Sequence, residues 1–455
     1  MASQTIKEKF VELQKSMQTP QNSRPKIQRV VDRFRNRTNF EKHYSPKFVS
    51  LGPIHHDNPN LKKGEKYKLM WAAKYIENTR HIPEDLHKKI ADNIDELKGH
   101  FDNDVLASTS WSLEGFGSLE EKLSWMLFVD GCSLLHILER AKLDEPGQMN
   151  IKVDQLVLVM MDVLLLENQL PYQVLKLLWK DEDQSGLIKS MMNFLACHHW
   201  ATPDESQSEK KKDMVPKRKA EREHSLSIRN ESQLETPFHL LDLQRNIILI
   251  TSTTKIKNNE ANKENISKKS RDIEKVKMIY TNIKDLKALG IRLKSSKTRR
   301  PRDIDFSEGW FTAELTLPEI VVDDTSAATF LNLIAYEMCP DFNNDYGFCS
   351  FAAFMCSLIN HPEDVKVLRS KGILLNSLGS DEEVAELFNI IGSDLVPNSE
   401  TYFEVKAKMN DHYNKYKTWI VQGYYSYFSI AAFIALALTF IQTVFTVYPA
   451  FKKDG

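Results

Sequence analysis

Two pairs of adjacent histidines are the first residues whose type could support chemistry. His55 and His56 lie in a turn-rich stretch, and His198 and His199 directly follow Cys197. Zinc sites take three or four ligands, usually from spaced pairs such as Cys-x-x-Cys, and neither histidine pair has such a companion. We therefore predict surface or capping histidines, with no metal and no cofactor.

Cys132 and His136 are four residues apart, a spacing that would put a thiol and a base on one helix face. Their neighbours are apolar, and a thiol in such surroundings is normally inert. The sequence also lacks the common phosphate-loop, zinc-protease and GxSxG motifs. A structural role is favoured, while an enzyme with an unrecognised site around Asp130, Cys132 and Glu167 stays open as the alternative.

Three consecutive polar residues, ENQ, interrupt the otherwise apolar stretch LLLENQLP at residues 164–171. Glu167 is the last residue of a buried helix predicted over residues 153–167, and Asn168 and Gln169 follow it. Amide and carboxylate side chains at this place can cap the helix end and bind the backbone of neighbouring segments. That structural role is our prediction, and ligand binding is the alternative.

The composition limits the class of protein. The chain has 455 residues, of which 42% are hydrophobic and 27% charged, which is typical of globular domains with a real core. Its formal net charge is −1, and this balance predicts no nucleic-acid partner. Five cysteines do not make a disulfide framework and indicate a reducing compartment, with a Cys339–Cys349 bridge as the minor alternative. The first residues lack the apolar core of a secretory signal.

Periodicity predicts a mainly α fold: a large helical domain with a small β-sheet of short strands in the C-terminal half, plus one C-terminal transmembrane helix. A helix is predicted to start near Lys63. Further helices are predicted over residues 120–141, 153–167, 172–179, 283–289, 324–336, 348–360, 362–370, 381–391 and 399–417. Short strands are predicted over residues 291–293, 303–306, 311–317 and 319–322.

The chain divides by composition into four parts. Residues 1–26 are polar and predicted to be loose, and residues 27–417 form the main domain. Two polar inserts, about 201–236 and 254–275, cannot bury enough apolar surface to order themselves and flank a docked segment at residues 237–250. The lysine runs 210–212 and 217–219 are predicted to be a solvated disordered stretch, with a nuclear signal or a lipid-binding patch as alternatives.

Residues 418–451 contain no charged residue and form a predicted transmembrane segment, followed by a tail at residues 452–455. Twenty helical residues cover about 30 Å, the thickness of the hydrocarbon core of a bilayer. A buried core helix is the alternative. Lysines are more numerous before the segment, which favours a cytosolic main domain in a tail-anchored protein of the plasma membrane or an endomembrane. The anchor core is Phe428, Ile430, Phe433, Leu436, Leu438, Phe440, Ile441, Val444 and Val447.

Orientation can be tested through three glycosylation sequons, which begin at Asn36, Asn230 and Asn265. A cytosolic main domain predicts that none of them carries glycan, because these acceptors are glycosylated in secreted segments.

Several motifs taken together resemble a known family. They are SLGPIHH at residues 50–56, VDGCSLLHIL at 129–138, DVLLLENQLP at 162–171, HLLDL at 239–243 and LPEIVVDDTSAATFLNLIAYE at 317–337. The chain resembles the plant family called domain of unknown function 247, of the UPF0481 type, from about residue 27 to 451. The motif residues, expected to be structural, are Gly52, Pro53, Asp130, Gly131, Glu167, Asn168, Gln169, Pro171 and Asp242.

The resemblance implies a plant protein with one C-terminal membrane helix and no established enzymatic activity. Members in grasses are similar to proteins proposed as pollen-side determinants of self-incompatibility, so recognition of a partner is the implied task. We expect a non-enzymatic, membrane-anchored recognition or signalling scaffold that binds the lipid bilayer and an unidentified protein partner. The long basic insert departs from the family pattern and puts inherited partner specificity in doubt, because variable loops are natural recognition surfaces.

Overall fold

The computed structural model describes residues 6–17, 25–36, 40–108, 113, 115–181, 183–196, 236–249, 282–296, 299–309, 312–343, 345–393, 395–398 and 400–451. Within the helices, side chains are described except at residues 7, 8, 12, 15–17, 417, 419–429 and 444–451. Most of both polar inserts, the lysine runs, Cys197 with its two histidines, and the tail lie outside these ranges.

The N-terminal half is helical. Its helices are α1 (Ile6–Met17), α2 (Asp32–Arg35), α3 (Phe40–Tyr44), α4 (Lys62–Thr79), α5 (Pro83–Asp92), α6 (Ile94–Lys98), α7 (Asn103–Ser108), α8 (Leu119–Arg140), α9 (Val153–Asp162), α10 (Tyr172–Leu178) and α11 (Ser185–Leu195).

Helix α8 is the centre of the first apolar core. Its start is fixed by Ser118, whose hydroxyl accepts the Glu121 N–H at 3.1 Å in a helix N-cap. Helix α4 packs against it with Trp71 and Tyr75 fully buried. Gly131 lets α10 come close, because a Cβ there would lie 2.4 Å from Leu178 Cδ1. These contacts hold α4, α8 and α10 together.

The C-terminal half combines helices with short strands. Its helices are α12 (Leu240–Leu249), α13 (Ile283–Ala288), α14 (Ser326–Glu337), α15 (Gly347–Leu358), α16 (Pro362–Ser370), α17 (Asp381–Gly392) and α18 (Phe403–Phe451), and its strands are β1 (Ile291–Ser295), β2 (Asp305–Glu308), β3 (Ala313–Leu317), β4 (Ile320–Val322) and β5 (Leu374–Asn376). Central β3 pairs parallel with β1 and antiparallel with β2, and β4 pairs parallel with β5. Alternate residues of β1 and β3 point into a second apolar core built with α14, α15 and α17.

The prediction of a mainly helical fold with a small sheet in the C-terminal half is confirmed. The predicted helix over residues 153–167 is wrong at its end, since α9 stops at Asp162. Strand β5 was not predicted, and its pairing with β4 adds a separate two-stranded sheet. Residues 6–17, expected to be loose, form α1.

The last helix, α18, continues from Phe403 to Phe451 without a break. Its first turns bury Val405 and Met409 in the second core. Among the residues searched, which are those the structure describes, no helix is both long and apolar enough to cross a membrane.

Candidate functional site: a buried polar junction between the two cores

Two segments contribute side chains to both apolar cores. In the turn after α9, Leu164 and Leu170 belong to the first core and Leu166 to the second. In α12, Leu240 and Leu243 face the first core, and Leu241 and Ile248 face the second. Buried polar side chains collect where these segments meet. We call this set the polar junction; it comprises Lys68, Asp130, Asp162, Glu167, Asn168, Gln169, Asp242, Arg245, Asn332 and Glu337.

Asp162 ends α9 by binding a distant segment. Its carboxylate accepts the backbone N–H groups of Lys47, Phe48 and Val49 at 2.8, 2.6 and 2.9 Å. Burial raises the pKa of this carboxyl to about 6, although the three N–H donors oppose that shift. The helix therefore stops where its last side chain anchors residues 47–49.

Asp130 forms a buried ion pair with Lys68, whose side chain is 0% exposed. The Lys68 Nζ lies 2.6 Å from Asp130 Oδ1 and 2.9 Å from Glu65 Oε1. Burial alone would lower the pKa of Lys68, but the charges of Asp130 and Glu65 outweigh it and raise the pKa. Asp130 also accepts the N–H of Gly52 at 2.8 Å.

Gly52 is required where the loop at residues 50–56 meets the turn after α9. Its φ of +71° is a left-handed conformation that favours glycine, and a Cβ there would lie 2.9 Å from the Gln169 carbonyl oxygen. Pro53, the next motif residue, is buried. Asp130 thus holds this loop against the turn.

Glu167 binds the segment that precedes α2 and the same loop. Its carboxylate accepts the Val30 N–H at 2.7 Å, pairs with Arg35, and lies 3.2 Å from His55 Nε2. Burial would raise the pKa of Glu167, but the neighbouring His55 and the positive charge of Arg35 outweigh it and lower the pKa. Glu167 is therefore a buried carboxylate with three partners.

The two amides that follow replace the missing helical hydrogen bonds of this turn. Asn168 accepts the Leu51 N–H at 2.6 Å and donates to the carbonyl oxygens of Val49 and Asp162. Gln169 donates to the carbonyl oxygens of Val163 and Leu165, both at 2.8 Å, and accepts the Leu241 N–H at 3.0 Å. Pro171, also buried, then precedes α10.

Polar side chains of α12 and α14 complete the junction on the side of the second core. Asn332 accepts the Leu166 N–H at 2.8 Å and donates to the His43 carbonyl at 2.9 Å. Asp242 accepts the Phe238 N–H and the Tyr336 hydroxyl, each at 3.0 Å.

Arg245 of α12 forms an ion pair with Glu337 of α14, at 2.6 Å. Glu337 also accepts the N–H groups of Phe348 and Cys349 at the start of α15. Burial raises the pKa of Glu337 despite the opposing charge of Arg245. This pair ties three helices of the C-terminal half to one another.

The arrangement positions backbone segments and leaves the thiol–histidine pair unsuited to nucleophilic chemistry. Burial raises the pKa of Cys132 to about 12 and lowers that of His136 to about 4. At neutral pH the pair is therefore a neutral thiol and a neutral imidazole in an apolar core.

The described residues hold no group of three or more potential metal ligands. Their four cysteines are free, so Cys339 and Cys349 are not bridged.

Several members of the junction were missed by sequence reasoning. Lys68 carries a signal that could have found it, since it occupies the apolar stripe of α4 with Gly64, Trp71, Ala72 and Tyr75. A lysine on a buried stripe needs a carboxylate partner. Asn332 likewise interrupts the apolar sequence of α14, but nothing near it in sequence indicates that its partners are Leu166 and His43.

The junction is built largely from the sequence motifs of one family. A family model described as a plant protein of unknown function, domain of unknown function 247, matches residues 27–445. This chain belongs to that plant family. The recognition made from the motifs is thereby confirmed, and the match covers both cores and much of α18 of this domain of unknown function 247 protein.

Curated relatives match over most of their own length. The chain is 25% identical over 443 residues to a UPF0481 protein of Arabidopsis thaliana, covering 89% of this chain and 83% of the relative. It is 23% identical over 484 residues to a putative UPF0481 protein of the same plant, covering 90% and 88%. No solved structure matches the chain significantly.

Proposed function

We propose that this protein is a membrane-anchored recognition or signalling scaffold without catalytic activity of its own. The observation that carries the proposal is α18, which begins inside the folded domain and continues as one helix into an uncharged apolar stretch. In that stretch Phe433, Leu436 and Phe440 are 71–74% exposed, and Ile430, Leu438 and Ile441 are also exposed. Such a surface is unfavourable in water and favourable in a bilayer.

The attachment of α18 to the domain supports an anchor that also sets orientation. The Tyr402 hydroxyl, just before the helix, donates to the Pro301 carbonyl at 2.8 Å. Lys415 and His412 both contact Glu308 of β2, at 2.7 and 3.2 Å. Because the start of α18 is fixed to the domain, the direction of its apolar part also fixes the orientation of the domain. The domain would therefore face the bilayer with one defined side.

The scaffold part of the proposal rests on how the junction uses its polar groups. Asp130 and Glu167, the acids of the alternative enzyme site, are buried and engaged with backbone N–H groups and cations. Recognition then falls to segments outside the junction, and the inserts at about residues 201–236 and 254–275 are the proposed partner-binding region. A cytosolic main domain and a relation to self-incompatibility-type recognition stay predictions from the sequence and the resemblance.

Alkaline carbonate extraction of membranes tests the anchor. The full chain should stay in the pellet, and so should the double variant Leu436→Ala, Phe440→Ala. The matched variant Leu436→Arg, Phe440→Arg should be extracted, because each arginine near the bilayer centre costs about 2.5–3.5 kcal/mol. Extraction of the unmodified chain, or retention of the arginine variant, would contradict the anchor.

Proximity labelling from the same membrane tests the scaffold. The full chain should label a reproducible set of proteins that a chain lacking residues 201–275, except the docked segment 237–250, fails to label. Equal labelling by both chains would remove the inserts from the proposal, and the absence of any reproducible set would contradict the scaffold.

A further inference from the structure

Helix α1 carries an apolar stripe that the folded domain leaves uncovered. Ile6, Phe10 and Leu13 are 73%, 62% and 54% exposed, and they recur at the i, i+4, i+7 spacing of one helix face. Exposed apolar side chains scattered singly need no explanation, but three large ones aligned on one helix indicate a surface that is normally buried.

The charges of α1 are distributed around this stripe in a way that suits a lipid surface. At 100° per residue, positions 7 and 9, both lysine, fall at the two edges of the stripe, and positions 8, 12 and 15, two glutamates and a lysine, fall on the opposite side. Lysines at such edges can keep their ammonium groups at headgroup level while the apolar face enters the acyl boundary.

The length of α1 argues against a second copy of the chain as the occupant. Twelve residues amount to fewer than two heptads, whereas a stable coiled coil needs at least about three to four. A helix this short is also marginal in water by itself, so an apolar surface that stabilises it is required. If α18 is anchored, a bilayer is always within reach, and the second contact becomes intramolecular.

We propose that α1 is a peripheral membrane helix, lying in the headgroup layer of an anionic leaflet with Ile6, Phe10 and Leu13 toward the acyl chains. The proximity argument rests on the proposed anchor, whereas the apolar stripe and its lysine edges do not. Two contacts, one at each end of the chain, would hold the domain flat against the bilayer.

Depth-dependent quenching of a fluorophore tests the helix in the full chain. The chain is placed in nanodiscs of phosphatidylcholine with phosphatidylserine and labelled at Phe10→Cys or, as the matched control, at Glu8→Cys. The unsubstituted chain labelled in the same way gives the background from the native cysteines. Lipids with a nitroxide in the acyl chain should quench the label at position 10 and leave the label at position 8 unquenched. Equal quenching of the labels at both positions would overturn the proposal. So would a label at position 10 that is protected from water but not quenched by the nitroxide lipids.

A second arm separates this proposal from the anchor. If alkaline carbonate extracts the unmodified chain from membranes, the anchor is wrong, and the same chain is then floated with preformed vesicles of the same composition. Helix α1 still predicts flotation there, lowered about tenfold by Phe10→Asp through the loss of one buried aromatic side chain. Flotation that is absent, or unchanged by Phe10→Asp, would overturn the peripheral helix.

Discussion

Breaking the ion pair between Lys68 and Asp130 should lower the unfolding free energy more than the loss of most other contacts in the molecule. The two side chains are 0% and 1% exposed, and their charged atoms are 2.6 Å apart. Removing one partner of a buried pair strands the other charge away from water and costs about 3–5 kcal/mol. Lys68→Met should therefore lower the unfolding free energy of the chain by about that amount.

The double-mutant cycle isolates the pair itself. Asp130→Asn keeps an oxygen that can accept the Gly52 N–H. It leaves Lys68 with the half-buried Glu65 as its only carboxylate partner among those described. In the double variant neither Lys68 nor Asp130 leaves the other's charge unpaired. Its loss of unfolding free energy should therefore be at least about 2 kcal/mol smaller than the sum of the losses of the two single variants.

Urea unfolding of the full chain in detergent, followed by circular dichroism, measures all four corners of the cycle. The exposed pair between Lys294 and Glu314, whose charged atoms are 2.8 Å apart, is the control. Lys294→Met should cost less than about 1 kcal/mol, because water screens an exposed pair. Additivity of the Lys68 and Asp130 losses within about 0.5 kcal/mol would refute the reasoning.

Three further predictions use other parts of the fold. Gly64→Ala should lower the midpoint of urea unfolding strongly, because the added Cβ would lie 1.9 Å from the Phe48 carbonyl oxygen. Gly147→Ala is the control and should change the midpoint little, because the space around Gly147 is open. Equal midpoints for the two variants would contradict the close approach at Gly64. Asp162 should contribute a loss of unfolding free energy as pH rises from about 4 to about 7, because its pKa is raised to about 6 in the fold from 3.8. A shift of this size corresponds to about 3 kcal/mol, and Asp162→Asn should remove that part of the pH dependence; parallel urea-unfolding profiles of the two chains would refute it. Cys132 should resist iodoacetamide at pH 8 in the folded chain and react after unfolding in urea, because burial raises its pKa to about 12; rapid modification of the folded chain, seen by peptide mass mapping, would contradict its burial.

Local sequence patterns were sufficient for much of the helix and strand content. The alternation in β3 and the β-branched run of β4 predicted strands close to their final positions. The three-residue β5 was missed because its order comes from pairing with β4, more than fifty residues earlier. Such pairing leaves no local periodicity to detect.

The polar junction shows the same division between local and distant causes. Glu167, Asn168 and Gln169 could be singled out because they interrupt an apolar stretch. The early end of α9 could not be predicted, because the Asp162 carboxylate accepts backbone N–H groups of residues 47–49, more than a hundred residues away. Contacts of that sequence separation are set by the tertiary fold and override helix propensity.

Hydrogen exchange of Asn332→Ala tests most directly whether the polar junction joins the two cores. Asn332 lies in α14 and accepts the Leu166 N–H, so its loss leaves that donor unsatisfied in the turn after α9. We predict faster amide exchange in residues 163–170 and in residues 43–51, as well as in α14, with Asn58→Ala on an exposed turn as the unaffected control. Faster exchange confined to α14 would contradict the account, because the two cores would then be stable independently of the junction.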